Sequence, residues 1–278
     1  MLPYAEISKQ VGFRTGRGGL PPVNHNYLSI TAGLFAALST SKLFSTSTNS
    51  AELVRNSDGT IQTFGFLNDF IDDAAIQAFA PGGANLSNLI DQSGAGNHFG
   101  QGTTNLQPVY QAGGLCFEFQ GYTFPYNKIE ASGILVNSDI TVFVLLKQTL
   151  PFNGSILQSN AAGAFTTFQY GGYENYQQQL YNGNGLFTSL YSGPFLTANT
   201  YCLTMLDITA ANAGTMYVRG QVDTTFTNLY TGTFTPAIGG NDYRPFDGEL
   251  KEMLIYQGSL SPADQTTVIN NIVTRWSL

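Results

Sequence analysis

"IDQSGAGNHFGQ", residues 90–101, sets Asp91, Ser93, Asn97 and His98 around Gly94 and Gly96. An acid, a hydroxyl and an imidazole this close together raise catalysis or metal binding. Two glycines among short polar residues point instead to a hard turn in an all-β chain. The glycines would take φ > 0 while Asp91 and Asn97 cap backbone amides. His98 as a general base is the sharper alternative, yet His25 is the only other imidazole and no Ser/His/Asp order stands out. A calcium site would rest on Asp91 and amide oxygens alone, a thin ligand set. The stretch is expected to be structural, with no metal, no cofactor and no catalytic residue in it.

The composition around this turn agrees with β structure. Gly 31, Phe 20 and Tyr 15 accompany many Thr, Ser, Asn and Gln, the residues of strands and turns. Charged residues are only 10% while 42% are hydrophobic, enough for a core and the reverse of a disordered chain. The formal net charge of −7 argues against a nucleic-acid partner. Residues 1–26 differ: Glu6, Lys9, Arg14 and Arg17 give this Gly/Pro-rich stretch a net +2. It reads as an extended arm, with Lys9, Arg14 and Arg17 as candidate partner contacts, ahead of one domain over 27–278. No signal-peptide core and no membrane span is seen, so a soluble protein with no membrane partner is expected. Cys116 and Cys202 each sit in an apolar run; one bridge or two buried thiols are both open, the thiols preferred.

Ile30, Leu34 and Leu38 recur every four residues, which predicts a short helix over Tyr27–Ser39. Ser57-Asp58-Gly59 predicts a hairpin turn within 51–66, and "DDAAIQAF" (72–79) a second short helix. "LCFEFQG" alternates, with Leu115, Phe117 and Phe119 on one face. "DITVFVLLKQ" (139–148) is nearly continuous apolar, as in a central strand. Ser261-Pro262-Ala263-Asp264 is a helix start, followed by Val268, Ile269, Ile272, Val273 and Trp276 at helical spacing. The fold class expected is an all-β sandwich with short N-terminal helices, a C-terminal helix and an extended arm.

Four separated pieces resemble one family: "LVRNSDGTIQTFGF" with "IDDAAIQAFA", then "LIDQSGAGNHFGQ", and finally "FDGELKEMLIYQGSLSPADQTTVINNIVTRW" (246–276). They look like the catalytic domain of arabinofuranosidase B, glycoside-hydrolase family 54, and more broadly like concanavalin A-like (laminin-G-like) jelly rolls. Related domains occur without activity in phage virion proteins. The resemblance implies two stacked antiparallel sheets. In the family a mid-chain glutamate is the nucleophile; the counterpart here, "AFTTFQYGG" (164–172), holds no acid. The family's acid/base aspartate follows Ile-Gly-Gly, where this chain has Asn241, with Asp242 one residue later. A one-residue slip on a strand would turn Asp242 to the other face. Glu174 is the one acid near enough to substitute for the nucleophile.

These departures lead to the expectation of a non-catalytic virion component, such as a capsid decoration, head-fibre or tail protein. It would assemble in the host cytoplasm with other virion proteins and copies of itself, strapped on by its arm. The alternative is a lectin-like carbohydrate-binding module or an arabinofuranosidase-like glycosidase. Tyr170, Tyr173, Tyr176 and Tyr181 lie among Gln and Asn in 168–193, and aromatic faces with amide hydrogen bonders suit sugar rings. With Glu174, Asn241 and Asp242 they form the candidate glycan site, of the kind that would bind host surface polysaccharide. The bland reading of the tyrosines is strand-face packing.

Overall fold

A computed structural model describes residues 27–120, 127–136, 139–149, 154–159, 169–173, 177–181, 187–188, 199–209, 213–218, 221–226, 233–239 and 246–278. The arm expected over 1–26, with Lys9, Arg14 and Arg17, lies outside the described residues.

Short apolar runs broken by Gly, Asn and Asp become strands. In chain order these are β1 (Leu34–Ser39), β2 (Asn49–Arg55), β3 (Ile61–Leu67) and β4 (Phe70–Ile71), then helix α1 (Asp73–Phe79). Next come β5 (Ala84–Leu89), β6 (Phe99–Gly100), β7 (Val109–Gln111), β8 (Cys116–Phe119), β9 (Lys128–Ala131) and β10 (Leu135–Val136). The middle of the chain adds β11 (Ile140–Gln148), β12 (Gly154–Ser159), β13 (Gln169–Tyr173), β14 (Gln177–Tyr181) and β15 (Phe187–Thr188). The chain closes with β16 (Tyr201–Thr209), β17 (Ala213–Val218), β18 (Gln221–Phe226), β19 (Thr233–Phe234), β20 (Pro236–Gly239), β21 (Gly248–Gln257) and helix α2 (Pro262–Trp276).

Antiparallel pairing arranges the strands in two layers. One runs β18–β17–β16–β11–β21, and β1 and β8 share the free edge of β21. The other runs β3–β2–β5–β6–β9–β20–β12–β13–β14–β15. β7 pairs with both β5 and β8 and joins the layers. One core lies between them: Val142, Val144, Leu206, Met253 and Ile255 from the first layer meet Leu53, Leu86, Phe99, Ile129 and Ile238 from the second. This is an all-β, concanavalin A-like β-sandwich, a jelly roll, with a C-terminal helix.

The helix explains why β11 is apolar on both sides. Phe143 and Leu145, the residues alternating with the core positions, pack under Val268 and Ile272 of α2. Burying each such aliphatic side chain contributes about 1.5–3 kcal/mol. Ser261 caps α2, its Oγ accepting from the Asp264 amide at 3.2 Å, with Pro262 in the first turn.

The short helix expected over Tyr27–Ser39 is not formed; Leu34–Ser39 is strand β1, paired with β21. A spacing of four fits the strand period of two as well as the helical turn. Ala36, Ala37 and Leu38 are all fully buried, which needs a strand covered on both faces. Gly33, at φ +74, ends any helix before it starts, and a Cβ there would meet the Gln257 carbonyl oxygen at 2.7 Å. Among the described residues the one short α-helix is α1, which follows β4 and is capped by Asp72.

Candidate functional site

The 90–101 stretch is a turn held by one carboxylate. Asp91 Oδ1 accepts from the amides of Ala37 and Ser93, both at 2.9 Å, and Oδ2 from Ser93 Oγ at 2.8 Å and the Asn97 amide at 3.0 Å. His98 Nδ1 accepts from the Asp91 amide, which ties the imidazole into the turn. Asn97 Nδ2 donates to the Phe35 carbonyl at 2.7 Å. Asp91, Ser93, Asn97 and His98 therefore each make at least one side-chain bond to the backbone. Among the described residues no cluster of His, Cys, Asp and Glu suits a metal ion.

The described candidate sugar residues, Tyr170, Tyr173 and Tyr181, lie on β13 and β14, and β13 pairs with β12. This strand runs antiparallel to both β13 and β20, so those two run in the same direction. Leu157 stands level with Tyr170 on one side and Ile238 on the other; Gln158 stands level with Gln169 and Ala237. β13 and β20 therefore deliver their chain ends at the same end of the layer, two strand spacings or about 10 Å apart. β13 stops at Tyr173, immediately before Glu174, and β20 stops at Gly239, shortly before Asn241 and Asp242. Glu174, Tyr176, Asn241 and Asp242 themselves lie outside the described residues.

Register divides the tyrosines. Tyr170 shares its row with Leu157 and Ile238, both in the inter-layer core. Tyr181 is level with Gln169 and so belongs to the row of Gln158 and Ala237, and Tyr173 has the same parity as Gln169. The same row reaches Glu130 of β9, whose carboxylate pairs with Lys128 Nζ at 2.7 Å. Gln158 is almost fully buried and its Oε1 has no hydrogen-bond partner. The sequence reading missed Gln158, Lys128 and Glu130; the lone amide in the run "SILQS" was the available signal. Gly239 has φ +104, and a Cβ there would meet the Asn127 carbonyl oxygen at 2.4 Å. Only glycine fits where β20 ends.

Three further polar groups gather on the helix side of the first layer. Glu252, fully buried, accepts from Arg275 Nη2 at 3.0 Å, Trp276 Nε1 at 2.7 Å and Ser39 Oγ at 3.2 Å, and so ties α2 to β21 and β1. Asp207 accepts from Thr141 Oγ1 at 2.8 Å and Ser259 Oγ at 3.0 Å; burial raises its carboxyl above the ordinary value, against the pull of these hydrogen bonds. Glu249 pairs with Lys147 and accepts from Tyr201 Oη and from Cys116 Sγ, the thiol at 3.2 Å. Burial pushes the Cys116 thiol up to about 12, so it stays protonated at neutral pH. Both cysteines are buried free thiols.

No protein-family model matches the chain, and no curated protein matches it. Solved structures do. A mutant glycoside-hydrolase family 54 α-L-arabinofuranosidase soaked with 4-nitrophenyl α-L-arabinofuranoside superposes with a TM-score of 0.64 at 17% identity, covering 87% of this chain and 63% of that one. A family 54 α-L-arabinofuranosidase soaked with a cyclic sulfate inhibitor gives 0.62 at 17% identity, covering 86% and 62%. An arabinofuranosidase complexed with arabinofuranosyl-α-1,2-xylobiose gives 0.63 at 16% identity, covering 86% and 62%. The chain thus spans somewhat under two thirds of the length of the enzymes it resembles, and at these identities the likeness is one of fold.

These matches correct the expectation of a virion component. Solved structures that share the fold across 86–87% of the chain are arabinofuranosidases. Virion location, virion partners and the denial of enzymatic activity are all withdrawn. The expectation that Asp242 is turned to the other face falls on residues outside the described ones.

Proposed function

We propose that the chain is a glycoside hydrolase acting on α-L-arabinofuranosides, with Glu174 and Asp242 as its carboxyl pair and residues 27–278 as one domain. The observation that supports this reading is the frame of β13, β12 and β20: β13 and β20 run in the same direction and end, at Tyr173 and Gly239, on the same end of the second layer. Glycosidic cleavage needs two carboxyls roughly 5–5.5 Å apart for retention or about 6.5–9.5 Å for inversion. Side chains carried on segments about 10 Å apart at the backbone can reach either separation. In this reading Asp242 protonates the leaving oxygen. Glu174 attacks the anomeric carbon in the retaining case or activates water in the inverting one. Tyr173, Tyr176 and Tyr181 offer ring faces to the sugar, and Asn241 an amide beside the acid.

The fold likeness to arabinofuranosidases supports the substrate class. The test is release of 4-nitrophenol from 4-nitrophenyl α-L-arabinofuranoside by the purified chain, compared with buffer. Release with turnover supports the proposal. A chain that binds arabinofuranosyl oligosaccharides without turnover is a binding module instead.

A further inference from the structure

Lys251 lies outside the frame of β12, β13 and β20 and has no part in the proposed reaction. It sits on β21, with its Nζ 4.1 Å from the ring centroid of Tyr201 and 4.7 Å from that of Trp276. Lys147 Nζ approaches the same Tyr201 ring at 5.5 Å, but its charge is met by Glu249. The two nearby carboxylates are both engaged: Glu249 by Lys147, Tyr201 and Cys116, and Glu252 by Arg275, Trp276 and Ser39. Among the described residues Lys251 thus has two rings and no carboxylate of its own, and the Lys147–Glu249–Lys251 group is left with one excess positive charge in a chain of net −7. Burial lowers its ammonium below the ordinary lysine value, against the raising pull of Glu249.

A lysine stacked on one ring ordinarily keeps its head in water. Here rings flank it, both fixed from behind: Tyr201 by its hydroxyl to Glu249, Trp276 by its indole N–H to Glu252. Lys147, Glu249, Tyr201 and Trp276 all remain partly exposed, so the group borders solvent. A cation between two preset rings is what an anionic, ring-shaped ligand needs: charge for the carboxylate and ring faces for the apolar side of a sugar.

We propose that Lys251, flanked by Tyr201 and Trp276, anchors a second carbohydrate site that takes the carboxylate of a uronic-acid sugar. The sugar part of this inference rests on the reading of the chain as carbohydrate-acting; the anion part rests on the cluster alone. The experiment is calorimetric titration of the full chain with trigalacturonate, neutral arabinotriose and inorganic phosphate, alongside hydrolysis of the chromogenic arabinofuranoside. Trigalacturonate is expected to bind with salt-sensitive affinity, weakened at least tenfold in Lys251→Met, with arabinofuranoside hydrolysis unchanged. Lys251→Gln serves if the methionine variant does not fold. Absence of trigalacturonate binding, or equal binding by the variant, overturns the site. Phosphate binding as tightly as trigalacturonate, with the same dependence on Lys251, also overturns it as a sugar site. Lys251-dependent trigalacturonate binding without arabinofuranoside hydrolysis upholds this site and removes the proposed function.

Discussion

Asp91 collects hydrogen bonds from Ala37, Ser93 and Asn97, three of them from backbone amides. Asp91→Ala leaves those donors without an acceptor, at about 1–3 kcal/mol for each that stays buried. The expected outcome is a loss on the order of 3 kcal/mol in a urea titration; a loss under about 1 kcal/mol would mean that solvent replaces the carboxylate and the turn is not the brace described. Asp207 works in the opposite sense. Its carboxyl is raised by burial, so the folded chain holds that proton more tightly than the unfolded one. Stability contributed by Asp207 is present below the ordinary aspartate value of about 3.9 and falls as pH rises toward the raised folded value. The stability of the wild type relative to Asp207→Asn should therefore decline between pH 4 and pH 7. A constant or rising difference contradicts the assignment.

At the scale of elements, what the sequence discloses depends on whether one period fits or two. α2 is legible because Ser261, Pro262 and Asp264 start it and Val268 and Ile272 repeat at helical spacing. β1 is not, because Ile30, Leu34 and Leu38 satisfy both periods and only the pairing with β21 decides. The adjacency of β13 and β20 is invisible in the sequence for a related reason: β12 sits between them, and strand order is not written in any local pattern. The turn at 90–101 was readable because Asp91 takes three of its four hydrogen bonds from Ser93 and Asn97 within the turn, whereas Gln158 and Lys251 acquire meaning only from neighbours far along the chain. The tie between α2 and the sheet is testable in the same terms. Glu252→Met removes the buried carboxylate that Arg275, Trp276 and Ser39 share, a loss of about 3–5 kcal/mol. Adding Arg275→Met should recover much of that loss, since two apolar side chains then replace a buried pair. A double variant no more stable than the single one would show that the ion pair is not what couples helix to sheet.

For the whole molecule, the two proposed sites rest on different layers of the sandwich. The first layer is sealed by α2 and carries the cluster around Lys251, while the second layer carries β12, β13 and β20, the strands on which the proposed function rests. Resemblance in the 89–101 and 246–276 segments was enough to place the chain among jelly rolls, and the superposition on arabinofuranosidases agrees over most of its length. The proposed acids were harder to read, because the segments that would carry them match the family's pattern only in strand character. The most direct measurement is the rate of chromogenic arabinofuranoside hydrolysis by the wild type, Glu174→Gln and Asp242→Asn, each with its thermal midpoint. The account predicts turnover by the wild type and a fall of about 10²–10⁴-fold in each variant, with midpoints unchanged. Full activity in either variant, or none in the wild type, would contradict it.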